Sequence, residues 1–119
     1  MSRAELARLL DAIAAGVPAE LAATERNEDS DAVTWSLGGV PFAILGADGV
    51  ELRLDTRIAV AAARTPDTAP SGRGPEWVRF NPRTVDPHAV DRLEAWFTLG
   101  ARRASASPAS DRQPGDRRS

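Results

Sequence analysis

A chain of 119 residues with a formal net charge of −2 and no cysteine holds one domain at most, and it excludes a disulfide framework, a thiol nucleophile and a Cys-ligated metal. No run approaches the roughly 20 apolar residues that span a bilayer. Glu5 and Asp11 break the N-terminal apolar segment, so no signal-peptide core is expected and the expected location is the cytoplasm.

The order of elements begins with Ser2-Arg3-Ala4-Glu5, which has the form of a capping box. Leu6, Leu9, Leu10, Ile13 and Val17 mark one helical face, and Gly16 with Pro18 supplies a stop, predicting a helix over residues 3–15. Residues 18–23 add a short further turn. Residues 25–31, ERNEDSD, read as a charged linker. They lack the alternating oxygen ligands, central glycine and terminal glutamate of a calcium loop, so no metal is expected there.

Residues 33–54 organise the rest. Val33, Trp35 and Leu37 alternate with Thr34 and Ser36; Val40, Phe42 and Ile44 repeat the pattern, as do Val50, Leu52 and Leu54 around Glu51 and Arg53. A period of two is what a half-buried sheet requires. Gly38-Gly39 fits a two-residue hairpin turn and residues 46–49 a second turn. Pro41 has no N–H, so it must take an unpaired position or a bulge.

Asp55 caps a predicted helix over residues 56–64, with Ile58, Ala61 and Ala62 inward. Residues 65–75 read as a mobile Pro/Gly/Ser loop. Its Gly72-Arg73-Gly74 lacks the Gly-Lys-Ser/Thr ending of a phosphate-binding loop. Residues 76–80 form a strand with Val78 and Phe80 inward and Trp77 and Arg79 outward. Asp86-Pro87 starts a last amphipathic helix, through Val90, Leu93, Trp96, Phe97 and Ala101 to about residue 104. From residue 105 the composition is that of a disordered tail.

These elements predict a two-layer α+β domain over residues 1–104, in the order α-β-β-β-α-β-α, followed by a basic tail over 105–119. The sheet has four mainly antiparallel strands and helices on one face. The charge divides with it: residues 1–100 carry ten arginines against fifteen acids, and residues 101–119 five against two. So acidic a domain is a poor match for nucleic acid, whose binding depends on neutralised phosphates.

Chemistry finds little to work with. His88 is the one histidine, and a base there has no second His or Cys to build a site. No nucleophile elbow surrounds a serine. The expectation is a protein without catalytic residues, metal or cofactor. The best surface is the outer face of the sheet, carrying Thr34, Ser36, Ala43, Leu45, Glu51, Arg53, Trp77 and Arg79. Ser36, Arg53, Trp77 and Arg79 are the candidate binding residues, because an exposed Trp among arginines is the composition of binding hot spots. The partner is a protein, a second copy or a small ligand. A covering helix, the 65–75 loop or a subunit would close this face, and a slip of one residue at Pro41 would exchange the faces. A DNA-associated module using the Arg-rich tail with Arg53 and Arg79 is the alternative; a small enzyme using His88 is the third.

Residues 74–104, GPEWVRFNPRTVDPHAVDRLEAWFTLGARRA, resemble the C-terminal part of the small bacterial "luciferase domain" family of unknown function, in which a Trp-Val-x-Phe strand precedes a polar break and an amphipathic helix. The segment GVPFAILGADGVELRLDTRIAVAAA resembles that family's glycine-turn hairpin. The likeness covers roughly residues 30–104 and implies no light emission and no catalytic motif. The family's Gly-His-x-His segment is replaced by Ala43-Ile44-Leu45-Gly46, so no histidine role carries over. In outline the arrangement is also similar to MmcQ/YjbR-like proteins, some of which are described as DNA-binding.

Overall fold

The computed structural model describes residues 2–29, 31–84 and 86–106. Its centre is the hairpin pair read from residues 33–54: β2 (Val33–Leu37), β3 (Val40–Gly46) and β4 (Gly49–Arg53). Gly38 and Gly39 have φ of 60° and 80°, the left-handed pair that a tight primed turn demands. Two strands not expected from the sequence join at the two sides, β1 (Glu25–Glu28) and β5 (Thr68–Pro70), and β6 (Trp77–Phe80) completes an antiparallel sheet of six strands in the order β1-β2-β3-β4-β6-β5. The four-stranded sheet and its element order are corrected accordingly; the α+β class stands.

Neither added strand has an apolar face to betray it. All four residues of β1 are exposed, and its register, from Glu25 opposite Ser36 to Glu28 opposite Val33, rests on backbone pairing. The turn that closes this hairpin is held by the Asp29 carboxylate, which accepts the N–H groups of Asp31 and Ala32, both at 2.9 Å. Arg26 then reaches Asp11 at 2.9 Å and lies 5.9 Å from the Trp35 ring centroid. The 65–75 segment is likewise not a free loop. Thr68 pairs with Phe80 and Pro70 with Val78, and Asp67 forms an ion pair with Arg83 at 3.1 Å.

Pro41 resolves as a bulge. Trp35 faces Ala43, but the next residue, Ser36, faces Pro41, so Phe42 is the extra residue on β3. The bulge reverses the alternation partway along the strand. Val40 and Phe42 point inward before it, and Ala43 and Leu45 after it, both of the latter with no exposed surface. Ala43 and Leu45, expected on the outer face, therefore belong to the core, while Ile44, expected in the core, is half-buried on the outer face.

Three helices complete the domain among the described residues: α1 (Arg3–Ala15), α2 (Thr56–Ala62) and α3 (Pro87–Ala106), with a 3-10 turn over Ala19–Leu21. The capping box of α1 is present in full, and Asp86 accepts the Ala89 N–H at 2.8 Å at the start of α3. α3 lies over the middle of the sheet. Phe97 meets Trp35 and Phe42 edge-on, with centroids 6.0 and 5.0 Å apart, and Trp96 meets Phe80 in the same way at 5.3 Å. Gly100 permits this closeness, since a Cβ there would stand 3.2 Å from both the Arg53 carbonyl oxygen and Phe42 Cδ1. α2 turns a different side than expected: Ala59 and Ala62 are buried, whereas Ile58 and Ala61 are exposed. Seven residues are too few to fix a helical phase from apolar spacing. α3 also extends to Ala106, taking in two residues assigned to the tail; residues 107–119 lie outside the described residues. No helix of the described residues is long and apolar enough to cross a membrane.

Candidate functional site

The outer face of the sheet is a cross-strand row with a second rank beside it. Thr34, Ile44, Glu51, Arg79 and Ala69 stand opposite one another in turn from β2 to β5. In the next rank Arg53 faces Trp77. Direct opposition puts side chains within contact distance, so Arg53, Trp77 and Arg79 are brought together as expected. Ser36 is not. It pairs with Pro41 on β3, three strand spacings of about 4.8 Å from Trp77, and contributes to a different part of the face.

The Trp77 end is built by residues that local pattern did not reveal. Past β5 the chain crosses the sheet end, and Ser71, almost fully buried, donates its hydroxyl to the Glu51 carboxylate. Arg73 Nε binds the same carboxylate at 2.8 Å, and its guanidinium lies 5.8 Å from the Trp77 ring centroid. Arg53 is held by Glu76 at 3.1 Å, and Arg103 of α3 reaches that carboxylate too. Arg79 is exposed and forms no ion pair among the described residues. Trp77 is half-buried: Arg73 covers part of it, and the rest borders a cavity of about 190 Å³ beneath α2. Gly72-Arg73-Gly74 and the unaccounted Val60 of α2 were the only sequence signals of this construction.

Burial works to raise the Glu51 and Glu76 carboxyls, but their partners outweigh it. Hydrogen bonds from Ser71 and Arg73, with the charges of Arg73 and Arg79, leave Glu51 below its ordinary value of 4.5. The Arg53 hydrogen bond and the charges of Arg103 and Arg53 do the same for Glu76. A carboxyl depressed in the folded state stabilises the protein above its unfolded value, and that contribution disappears as pH falls through the lower folded value. Stability is therefore expected to hold above about pH 5 and to decline below about 4.5. The double variant Glu51→Gln, Glu76→Gln should flatten that decline in urea titrations at a series of pH values; an unchanged slope would show that these pairs do not report on folding.

Elsewhere, a groove of about 510 Å³ separates the C-terminal end of α1 from α3, with Ile13, Val17, Pro18 and Ala95 as walls and Asp91 and Glu94 at its margin. His88 is exposed and is not among its lining residues. No cluster of three or more His, Cys, Asp or Glu side chains among the described residues is arranged to hold a metal ion. Comparison with protein-family models, with curated proteins and with solved structures finds no match to this chain.

Proposed function

We propose that this is a non-catalytic binding module that engages a protein partner through the outer face of its sheet, at the Trp77 end. The observation that carries the reading is an indole on the face away from α1 and α3, opposite Arg53 and diagonal to the exposed Arg79. Trp and Arg are the residues that dominate interface hot spots. A partner that adds a strand to the sheet is disfavoured, because β1 presents charges at one edge and β5 ends in Pro70 at the other. The cytoplasm is the proposed location. Kinship with the luciferase-domain family is proposed on the Trp-Val-x-Phe strand and following helix alone, and it brings no activity with it.

A DNA-associated role has weaker support. Arg53 is engaged by Glu76, which leaves Arg79 as a single cation on a face where several phosphate contacts would be needed.

Affinity capture from source-cell extract tests the reading. Wild-type chain should retain a discrete protein that Arg79→Glu and Trp77→Ala both lose. Arg79 is exposed and makes no ion pair among the described residues, but Arg79→Glu would face Glu51 across the strands, so its urea midpoint is read beside capture and separates lost binding from lost folding. Equal capture by wild type and Arg79→Glu would contradict the proposal, and retention of duplex DNA that fades with salt would favour the alternative.

A further inference from the structure

We propose that the cavity between α2 and the β5–β6 edge receives one apolar side chain from an acidic segment of the partner protein. The inference rests on the sheet-face reading and deepens it, because Trp77 belongs to both. The walls are Ala59, Val60, Ala63, Pro70, Trp77 and Val78, with no charged group among them. At about 190 Å³ the cavity falls below the roughly 300–1,000 Å³ of sites that enclose a whole small molecule. It has room for a single aliphatic side chain. Val60 stands at its margin with 54% of its surface exposed, an apolar side chain left in water where a partner would cover it.

Charge selects what flanks that anchor. Arg57 and Arg64 lie one helical turn on either side of Val60, on the same surface of α2 and its end. Both are exposed, and neither forms an ion pair among the described residues. Arg73, over Trp77, is already committed to Glu51 and does not add to them. The neighbouring acids are already engaged: Asp55 caps α2, Asp67 holds Arg83, Glu51 holds Arg73 and Glu76 holds Arg53. An apolar hole beside the two guanidinium groups of Arg57 and Arg64, which form no ion pair among the described residues, complements a leucine-sized residue set among Asp and Glu.

The test uses the full chain and a dye-labelled peptide with one leucine between runs of glutamate, read by fluorescence anisotropy. A peptide with glycine in place of that leucine should bind roughly tenfold more weakly, a difference of about 1.4 kcal/mol. Val60→Asp should weaken the leucine peptide by a similar factor, and the double variant Arg57→Gln, Arg64→Gln should abolish the salt dependence of binding. Val60 is exposed, so its variant is expected to fold. No binding of the leucine peptide, or equal binding of the glycine peptide, would overturn the assignment. Displacement of the peptide by octanoate at equal concentration would overturn it too, making a small organic acid the occupant. If the peptide fails while partner capture still depends on Arg79, the cavity assignment falls and the sheet-face reading stands. If capture ignores Arg79, the sheet-face reading falls and the peptide alone decides the cavity.

Discussion

Replacing Phe97 by alanine is expected to remove about 3–5 kcal/mol of stability, a large part of the roughly 5–15 kcal/mol that a small domain possesses. Phe97 has no exposed surface and joins α3 to both β2 and β3 through its edge contacts with Trp35 and Phe42. Its loss opens a cavity where the long helix meets β2 and β3 at once, and neither Trp35 nor Phe42 can move in without leaving its strand position. Urea unfolding with an unchanged m-value would report the effect as a lower midpoint. Phe97→Leu, which keeps most of the volume, should cost less. A loss below about 1 kcal/mol for the alanine variant would mean that α3 is not seated on that pair of rings.

Gly49→Ala is the second change with a large expected cost. Gly49 opens β4 with φ of 115°, and a Cβ there would stand 2.6 Å from the Phe80 carbonyl oxygen and 2.9 Å from Asn81 Cβ. The backbone conformation costs an L-residue about 1–3 kcal/mol, and forcing β6 away from β4 adds overpacking of about 1–3 kcal/mol. Gly46, its partner across the turn, has open space at the Cβ position and no such φ, so Gly46→Ala should change stability by about 0.5 kcal/mol or less. Thermal unfolding of the two variants side by side gives the comparison. Equal melting temperatures would contradict the close approach of β6 to the start of β4.

What the sequence revealed follows from which forces leave a local trace. The alternation of β2 and β4 and the Gly38-Gly39 turn were legible because burial on one face imposes a period of two and a primed turn demands positive φ. β1 was not legible: ERNE pairs by backbone alone at an edge, where charges are tolerated and even useful. β5 was masked by its neighbouring prolines and glycines for a similar reason. The bulge at Phe42 was foreseeable from Pro41, and its consequence, the exchange of faces, stood as the alternative reading of a one-residue slip there. One extra residue moved Ala43 and Leu45 into the core and Ile44 out, which a strict alternation assigns the other way.

The candidate site was half legible. Trp77 and Arg79 are placed outward by the same alternation that buries Val78 and Phe80. The commitments of the arginines were hidden, since Arg53 meets Glu76 and Arg73 meets Glu51 across separations that no short-range pattern records. Those pairings decide the chemistry of the face: they take Arg53 out of contention and leave the exposed Arg79 and the half-buried indole as its remaining elements.

The most direct measurement is photo-cross-linking in source cells, with a benzophenone side chain at position 79 on the sheet face and, separately, at position 99 on α3, where Leu99 is 39% exposed. The account predicts a discrete cross-linked protein from position 79 and none from position 99. Products from position 99 alone, or none from position 79, would contradict it.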